Sequence, residues 1–357
     1  MRINEIDRSN DVYSPWKVAF HNTEIKMMKR NMMFPPKCIQ LDLTSKCPHN
    51  CIHCAYKNSG FDKLGMEFNI REEMPYLTAM DIPRQMKKAR IQALELTGGG
   101  EPLAYPWIKE FIEQCEKYRI ELAIVTNGML LTSQIQAKLR NLKWIRFSID
   151  AATKKTYKKV HGVNCWDIVQ KHLYQVIARG YEGCKVGISF IITPHNYHEI
   201  LGAARMYRLA GADNIRFSFW YDSGFSGRLN QNQKRVISDL LAEAKLQDTE
   251  DYKVFGTMSR LESYKNSNDF NFCGYQFFTW AIGSDCLVYP CCVEKYHKKF
   301  AFGDLKKQTL KEIVYNRERR GYIRDFNVKN CKPCWLGDRN RFIEYLLSEN
   351  PEHLNYP

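Results

Sequence analysis

Three cysteines stand close together early in the chain: Cys47, Cys51 and Cys54 in KCPHNCIHCAY, with three and then two residues between them. A zinc ion that only staples a loop takes four protein ligands. Three thiolates fall one short of that set, unless His49 or His53, interleaved with the cysteines, completes a mixed site. A cubane iron–sulfur cluster accounts for the spacing differently. Each of its irons takes one external ligand, usually a thiolate, so three cysteines leave one iron open to a chelating small molecule. An open iron turns an electron-transfer cluster into a catalytic one.

Such a site needs a rigid frame, and the apolar pattern supplies one. CIQLDLTS (38–45) reads as a strand running into the cysteines, 79–91 as a helix, and QALELTGGG (92–100) as a strand ending in a glycine turn. The alternation continues with a helix in 105–118 and the strand ELAIVTNG (121–128), then a helix in 133–142 and the strand WIRFSIDA (144–151). VGISFIIT (186–193) and NIRFSFWY (214–221) follow, each after a helical segment. Six strands with helical crossovers imply a parallel α/β sheet, and runs this apolar imply burial on both faces. In such architectures the site lies at the carboxyl ends of the strands, which is where the cysteines, GGGEP, TNG and SIDA fall.

The glycine loop matches neither of the common phosphate-binding patterns. Gly98, Gly99 and Gly100 would let backbone approach a ligand closely, and Glu101 could accept from a ligand ammonium. The plainer alternative is a tight turn ahead of a helix opened by Pro102.

The chain has 357 residues, 44% hydrophobic and 26% charged, enough for one large core or two smaller ones. Its 13 cysteines cluster at metal-ligand rather than disulfide spacing, and the charged start MRINEIDRSND has no apolar core segment, so the expected compartment is a reducing cytoplasm. No apolar run reaches the length that spans a bilayer. Lys and Arg number 53 against 39 Asp and Glu, a net +14 that would attract an anionic substrate such as a nucleotide, nucleic acid or acidic peptide. The denser basic runs, KKTYKK (154–159) and RERR (317–320), read mainly as solvated helix faces.

Taken in order and spacing, residues 37–225 resemble the radical S-adenosylmethionine superfamily. The resemblance implies a partial (β/α)6 parallel barrel. In it Cys47, Cys51 and Cys54 hold a catalytic 4Fe-4S cluster whose open iron is chelated by the methionine moiety of S-adenosylmethionine. Gly98, Gly99, Gly100 and Glu101 form the loop that binds the methionine amino group. His53 takes a position near the adenine, and Asn127, Ser148 and Asp150 reach the ribose or methionine groups. The chemistry implied is reductive cleavage of S-adenosylmethionine to a 5′-deoxyadenosyl radical, fed by a reductant such as flavodoxin or ferredoxin, followed by hydrogen abstraction from an unactivated C–H bond.

Further on, Cys273, DCLVYPCC (285–292) and CKPC (331–334) resemble the twitch and SPASM extensions of these enzymes. Against the pattern D-G-x-V-Y-P-C, Cys286 replaces the glycine and Cys291 is the aligned ligand. With Cys273, Cys331 and Cys334 it would hold one auxiliary 4Fe-4S cluster, a structural zinc being the alternative. Cys38, Cys115, Cys165 and Cys184 read as core thiols. The expected organisation is an N-terminal extension (1–36) with Trp16 and Phe20 on the barrel, the barrel (37–225), a helical bridge (226–268) and a small Cys-rich iron–sulfur extension (269–357).

Enzymes with this extension often modify peptides. The charge, and a fainter resemblance of 9–21 and 54–60 to uncharacterised phage-associated radical enzymes, tip the expectation narrowly to a nucleobase or nucleic acid, with peptide modification as the alternative. A non-catalytic iron–sulfur carrier or sensor is the third reading, and it would need no methionine-binding loop.

Overall fold

Residues 13–57, 66–220, 229–256, 258, 268–331 and 334–348 are described by the computed structural model. Parts of the expected extension (1–12), bridge (226–228, 257, 259–267) and C-terminal region (332–333, 349–357) lie outside the described residues.

A 3-10 turn, Pro15–Phe20, leads into α1 (Asn22–Lys29). The alternating unit then begins with β1 (Cys38–Leu41), α2 (Tyr76–Ala89), β2 (Ala93–Leu96), α3 (Ile108–Lys117), β3 (Glu121–Thr126), α4 (Ser133–Gln136) and β4 (Leu142–Ser148). It continues through α5 (Lys154–His161), α6 (Trp166–Arg179), β5 (Lys185–Ile192), α7 (Ile200–Leu209) and β6 (Asn214–Phe219). The C-terminal part adds α8 (Gln231–Lys245), β7 (Lys253–Phe255), β8 (Thr279–Ile282), β9 (Leu287–Tyr289), β10 (Gly303–Asp304), α9 (Leu310–Tyr315), α10 (Arg317–Asp325) and α11 (Gly337–Leu347). No helix among the described residues is long and apolar enough to cross a membrane.

All ten strands form one sheet in the order β10-β9-β8-β1-β2-β3-β4-β5-β6-β7. The run from β8 through β1 to β7 is parallel, and β9 and β10 return antiparallel. The partial α/β barrel with a smaller Cys-rich extension is therefore as expected, but six strands undercount the sheet. β7 is only three residues long, and β8 belongs to the extension by sequence while pairing directly with β1.

Burial on both strand faces forms on β8 and along much of β3 and β5, but not on β1 and β4. On β1, Ile39 and Leu41 are buried against the helices while Gln40, facing the other way, is half-exposed. Likewise Ile145 and Phe147 of β4 are core residues, whereas Trp144, Arg146 and Ser148 are not. Alternation with period two thus puts the apolar side chains in the outer layer and a polar set in the lumen. A lumen left open for a ligand has no need of an apolar inner face.

The extension is welded on by Trp280 and Arg319, both buried. Trp280 sits on β8 opposite Ile39, and the Arg319 guanidinium stacks 4.7 Å from its ring while donating to the carbonyls of Phe34 (3.2 Å) and Val314 (2.9 Å). One member of the RERR run is thus internal rather than solvated. The N-terminal segment packs on the extension instead of the barrel: Trp16 meets Phe342 at 4.4 Å, and Ile25 and Met28 share a core with Phe277, Phe278 and Ile343. Phe20 stays 79% exposed. Tyr13 reaches back to the barrel, against Phe255 of β7.

Because Trp280 serves both parts, Trp280→Ala should destabilise them together by about 3–5 kcal/mol. Urea unfolding followed by circular dichroism and by limited proteolysis should give coincident transitions. A barrel that keeps wild-type stability in the variant would refute the shared core.

Candidate active site

Residue 42 follows directly on β1, and its carboxylate organises what comes next. Asp42 Oδ2 accepts from the backbone N–H of Gly99 at 2.6 Å, from the Tyr296 hydroxyl at 2.8 Å and from Lys295 Nζ at 2.6 Å. Both members of the ion pair are 0–1% exposed. Burial opposes the charge on Lys295, but Asp42 and the nearby Tyr56 hold its pKa above the ordinary range. Tyr56, Phe68 and Tyr296 close over the pair, with ring centroids 4.7–5.7 Å apart.

The cysteine loop is held from two sides. Asn50 and Ile52 donate to the carbonyls of His161 and Val160 at the end of α5, and Lys46 accepts from the N–H of Glu101 at 2.9 Å. Lys57 Nζ caps the carbonyls of Cys47 (3.1 Å) and His49 (2.9 Å). The three thiols lie within electrostatic reach of one another. Cys47 is pushed up to about 11, mainly by burial and partly by neighbouring charges that include Cys54; Cys51 is also pushed up, by burial first and by Asp150, Cys54 and Cys47 after it.

The glycine loop owes its composition to this packing. A Cβ on Gly100 would lie 2.4 Å from the Lys46 carbonyl oxygen, and one on Gly99 would lie 2.9 Å from the Tyr296 hydroxyl. Gly100 thus lets this loop lie against the cysteine loop, Gly99 lets it lie against Asp42 and Tyr296, and Gly98 shapes the turn itself. Glu101 does not face an open site: it is 3% exposed and accepts from Thr126 Oγ1 (2.6 Å), Asn127 N (2.8 Å) and Leu103 N (3.1 Å). It clamps the glycine loop to the end of β3. Asn127 in turn brings its side-chain amide to 3.8 Å from Cys47 Sγ, and Ser148 ends β4 half-buried on the lumen-facing set.

Behind the cysteines lies a histidine network. Asp150, buried and left-handed at φ 54°, accepts from Ile191 N at 2.6 Å and stands 3.3 Å from both His53 Nε2 and His161 Nε2. Burial opposes its ionisation, but the two imidazoles hold its pKa below the ordinary value. His161 stacks on Tyr157 and puts Nδ1 3.1 Å from Cys51 Sγ, while its Nε2 meets the Ile149 carbonyl at 2.7 Å. His49 turns to Cys165 at 3.3 Å. The ligand atoms of His49, Cys51 and His161 all lie within 4.8 Å of one another, so the mixed Cys/His alternative keeps His49, which the sequence offered, and brings in His161, which it did not. Nothing in the sequence near position 161 signals this; the contact spans 110 residues.

In the extension, Cys273, Cys291, Cys331 and Cys334 line one small cavity of 20 Å³, with Glu294 and Asn340 beside them. Burial raises all four thiols, Cys273 to about 11 and Cys334 to about 12. Four thiols around one void suit a fully ligated cluster, and loading it must expel their protons. Cys286 sits elsewhere, buried with φ 71°, the left-handed conformation for which a glycine is expected at that place in the pattern. Cys292 faces the lumen.

There a chamber of 560 Å³ opens between the barrel and the extension, lined among others by Gln40, Glu95, Arg146, Arg216, Tyr275 and Cys292. Its rim includes the exposed Lys185, Glu250 and Asp251, at the starts of β5 and β7 and so at the opposite end of the barrel from the cysteine loop.

Comparison with known proteins agrees with this layout. Residues 41–207 match the radical SAM superfamily and residues 273–335 the SPASM iron-sulfur cluster-binding domain. The mycofactocin maturase MftC of Mycobacterium tuberculosis is 26% identical over 46% of this chain, and the match spans 40% of that protein, less than half its length. An S-adenosylmethionine-dependent nucleotide dehydratase of Flammeovirga pacifica is 27% identical over 49% of this chain and 60% of its own. Streptococcus suis SuiB, solved bound to precursor peptide SuiA, shares the fold at a TM-score of 0.64 and 19% identity, covering 96% of this chain and 80% of that one.

Removing one partner from the buried pair should be costly. Lys295→Met should destabilise the protein by about 3–5 kcal/mol, because it strands the Asp42 charge, and adding Asp42→Asn should restore part of the loss. A double-mutant cycle by urea unfolding measures the coupling; additive losses would contradict it.

Burial pushes the Glu101 carboxyl up to about 7 despite its hydrogen bonds. The folded protein then holds a proton that the unfolded chain releases, so metal-free protein should lose stability as pH rises from the ordinary carboxylate range to about 7, by on the order of 3 kcal/mol for this group. Glu101→Gln should flatten that part of the pH profile of urea unfolding. An unaltered profile would contradict the assignment.

Proposed function

We propose, from the premise that this chain belongs to the radical S-adenosylmethionine superfamily and carries a SPASM extension, that it is an enzyme modifying a residue of a peptide. The observation that carries the reading is the chamber: it is walled jointly by the barrel and the extension, extends to Cys292 beside the Lys295 pair, and opens to solvent at the far end of the barrel. A chain segment entering from the rim can present one side chain to the interior.

The residues fit the cofactors. Cys47, Cys51 and Cys54 would hold the catalytic cluster, with the loop of Gly98, Gly99, Gly100 and Glu101 packed against them, and Cys273, Cys291, Cys331 and Cys334 the auxiliary one. When bound, the catalytic cluster and S-adenosylmethionine supply a hydrogen-abstracting 5′-deoxyadenosyl radical. This chain's task is to place one C–H bond and exclude water. The Asp42–Lys295 pair and its aromatic cover seal the inner end, while Glu101 and the histidine network fix the loops that carry the ligands.

A maturase among the relatives and a fold shared with a peptide-bound enzyme support a peptide over the nucleobase favoured by charge alone. The nucleotide reading keeps support of its own, the dehydratase match among it.

Anaerobically reconstituted protein should hold about eight irons, and about four after all of Cys47, Cys51 and Cys54 become Ala. With a strong reductant it should form 5′-deoxyadenosine, and deuterium should move into that product from labelled peptides encoded beside the gene. Transfer from nucleotides or DNA and from no peptide would replace this reading with the nucleobase one.

A further inference from the structure

Among the described residues, two buried polar atoms in the chamber have no partner. One is Arg146 Nε on β4, the other Gln40 Oε1 on β1, and both side chains line the cavity. Among the described residues the Arg146 guanidinium makes no hydrogen bond and no ion pair; what it has are two aromatic faces, Trp144 at 4.7 Å and Tyr13 at 5.0 Å. Arg216 stands over the same Tyr13 ring at 4.6 Å. Stacking immobilises a guanidinium by its face and leaves the N–H edge, the part that matches a carboxylate, for a ligand. A half-buried cation without a counter-ion and with a desolvated donor is an unfavourable arrangement unless something supplies the anion.

The second atom has a defined role. Gln40 Nε2 donates to Glu95 at 3.0 Å, which sets the amide orientation and leaves Oε1 as an acceptor. The chamber therefore offers a fixed donor on one wall and a fixed acceptor on another. A ligand that carries both a carboxylate and an N–H satisfies the two at once.

We propose that Arg146 and Gln40 are the substrate-recognition pair of this chamber, Arg146 taking a carboxylate of the peptide and Gln40 Oε1 accepting one of its N–H groups. The inference rests on the peptide reading above and narrows it to peptides that present either an acidic side chain or a C-terminal carboxylate at the modified position.

The test uses the full-length protein and four probes: N-acetylglutamate methylamide, N-acetylalanine, N-acetylglutamine methylamide and GMP. Calorimetry should find one of the two carboxylate probes bound, which tells side-chain from terminal carboxylate, and the glutamine probe bound at least about tenfold more weakly. Arg146→Met should abolish carboxylate binding, Arg146→Lys should weaken it because the charge remains without the fork, and Gln40→Leu should weaken it by about tenfold. Phenylglyoxal labelling of wild-type protein, read at Arg146 by mass spectrometry, should be slowed by the bound carboxylate probe and needs no variant to fold. Equal binding of the glutamine probe, carboxylate binding that survives Arg146→Met in a variant melting like wild type, or unprotected Arg146 would overturn the proposal. So would Arg146-dependent binding of GMP alone, which would assign the pair to a phosphate. If peptides donate deuterium yet Arg146→Met leaves them reactive, the maturase reading stands and this one falls. If the carboxylate probe binds through Arg146 but no peptide donates, the reverse holds.

Discussion

One carboxylate joins three segments that the chain keeps far apart. Asp42, at the end of β1, accepts at a single oxygen from the glycine loop and from two consecutive residues of the extension, Lys295 and Tyr296. In a site this dry the interaction is strong, and it is also exacting, because each donor must stay in place for the others to remain compensated. The glycine loop is thereby positioned by the extension as much as by the barrel that carries it. Any shift of Lys295 would be felt at Gly99, two residues before Glu101, whose N–H donates to the cysteine loop.

The loops around that point are held by contacts of the backbone. Lys46 and Gly100 approach so closely that no side chain fits, Glu101 ties its loop to β3, and the end of α5 supports the cysteines from below through His161 and Val160. Rigid support of this sort keeps several loops at the ends of different strands in one geometry, as the proposed radical reaction would require of the groups around it.

Local features of the sequence carried much of this. The three-cysteine spacing, the strand–helix alternation and the four extension cysteines are each legible within a few dozen residues, and the strands lie within a few residues of where periodicity puts them. What stayed hidden depends on pairing across distance. β8 is four residues, three of them apolar, whose partner, β1, lies about 240 positions earlier, and β7 is too short to register a period. His161 and Lys295 earn no notice from their neighbours in sequence; only the fold brings one to Cys51 and the other to Asp42. Glu101 and the glycines suggest ligand contact by their types, whereas the contacts they make here are internal, because a glycine run looks the same whether the close approach is by a ligand or by the chain itself. The net charge was uninformative for a related reason: a sum over the surface says nothing of one arginine stacked inside the lumen.

The pairing of β8 with β1 bears on how the protein is made. During synthesis β1 through β6 can assemble as their residues emerge, but the outer edge of β1 keeps unpaired N–H and C=O groups until residues 279–282 have left the ribosome. Over that interval a short apolar strand is open to the wrong partner, another nascent chain included. Closing it late, through a contact of long sequence separation, is slow. The barrel therefore passes its most aggregation-prone moment before the extension arrives, and translation speed between β6 and β8 becomes a determinant of soluble yield.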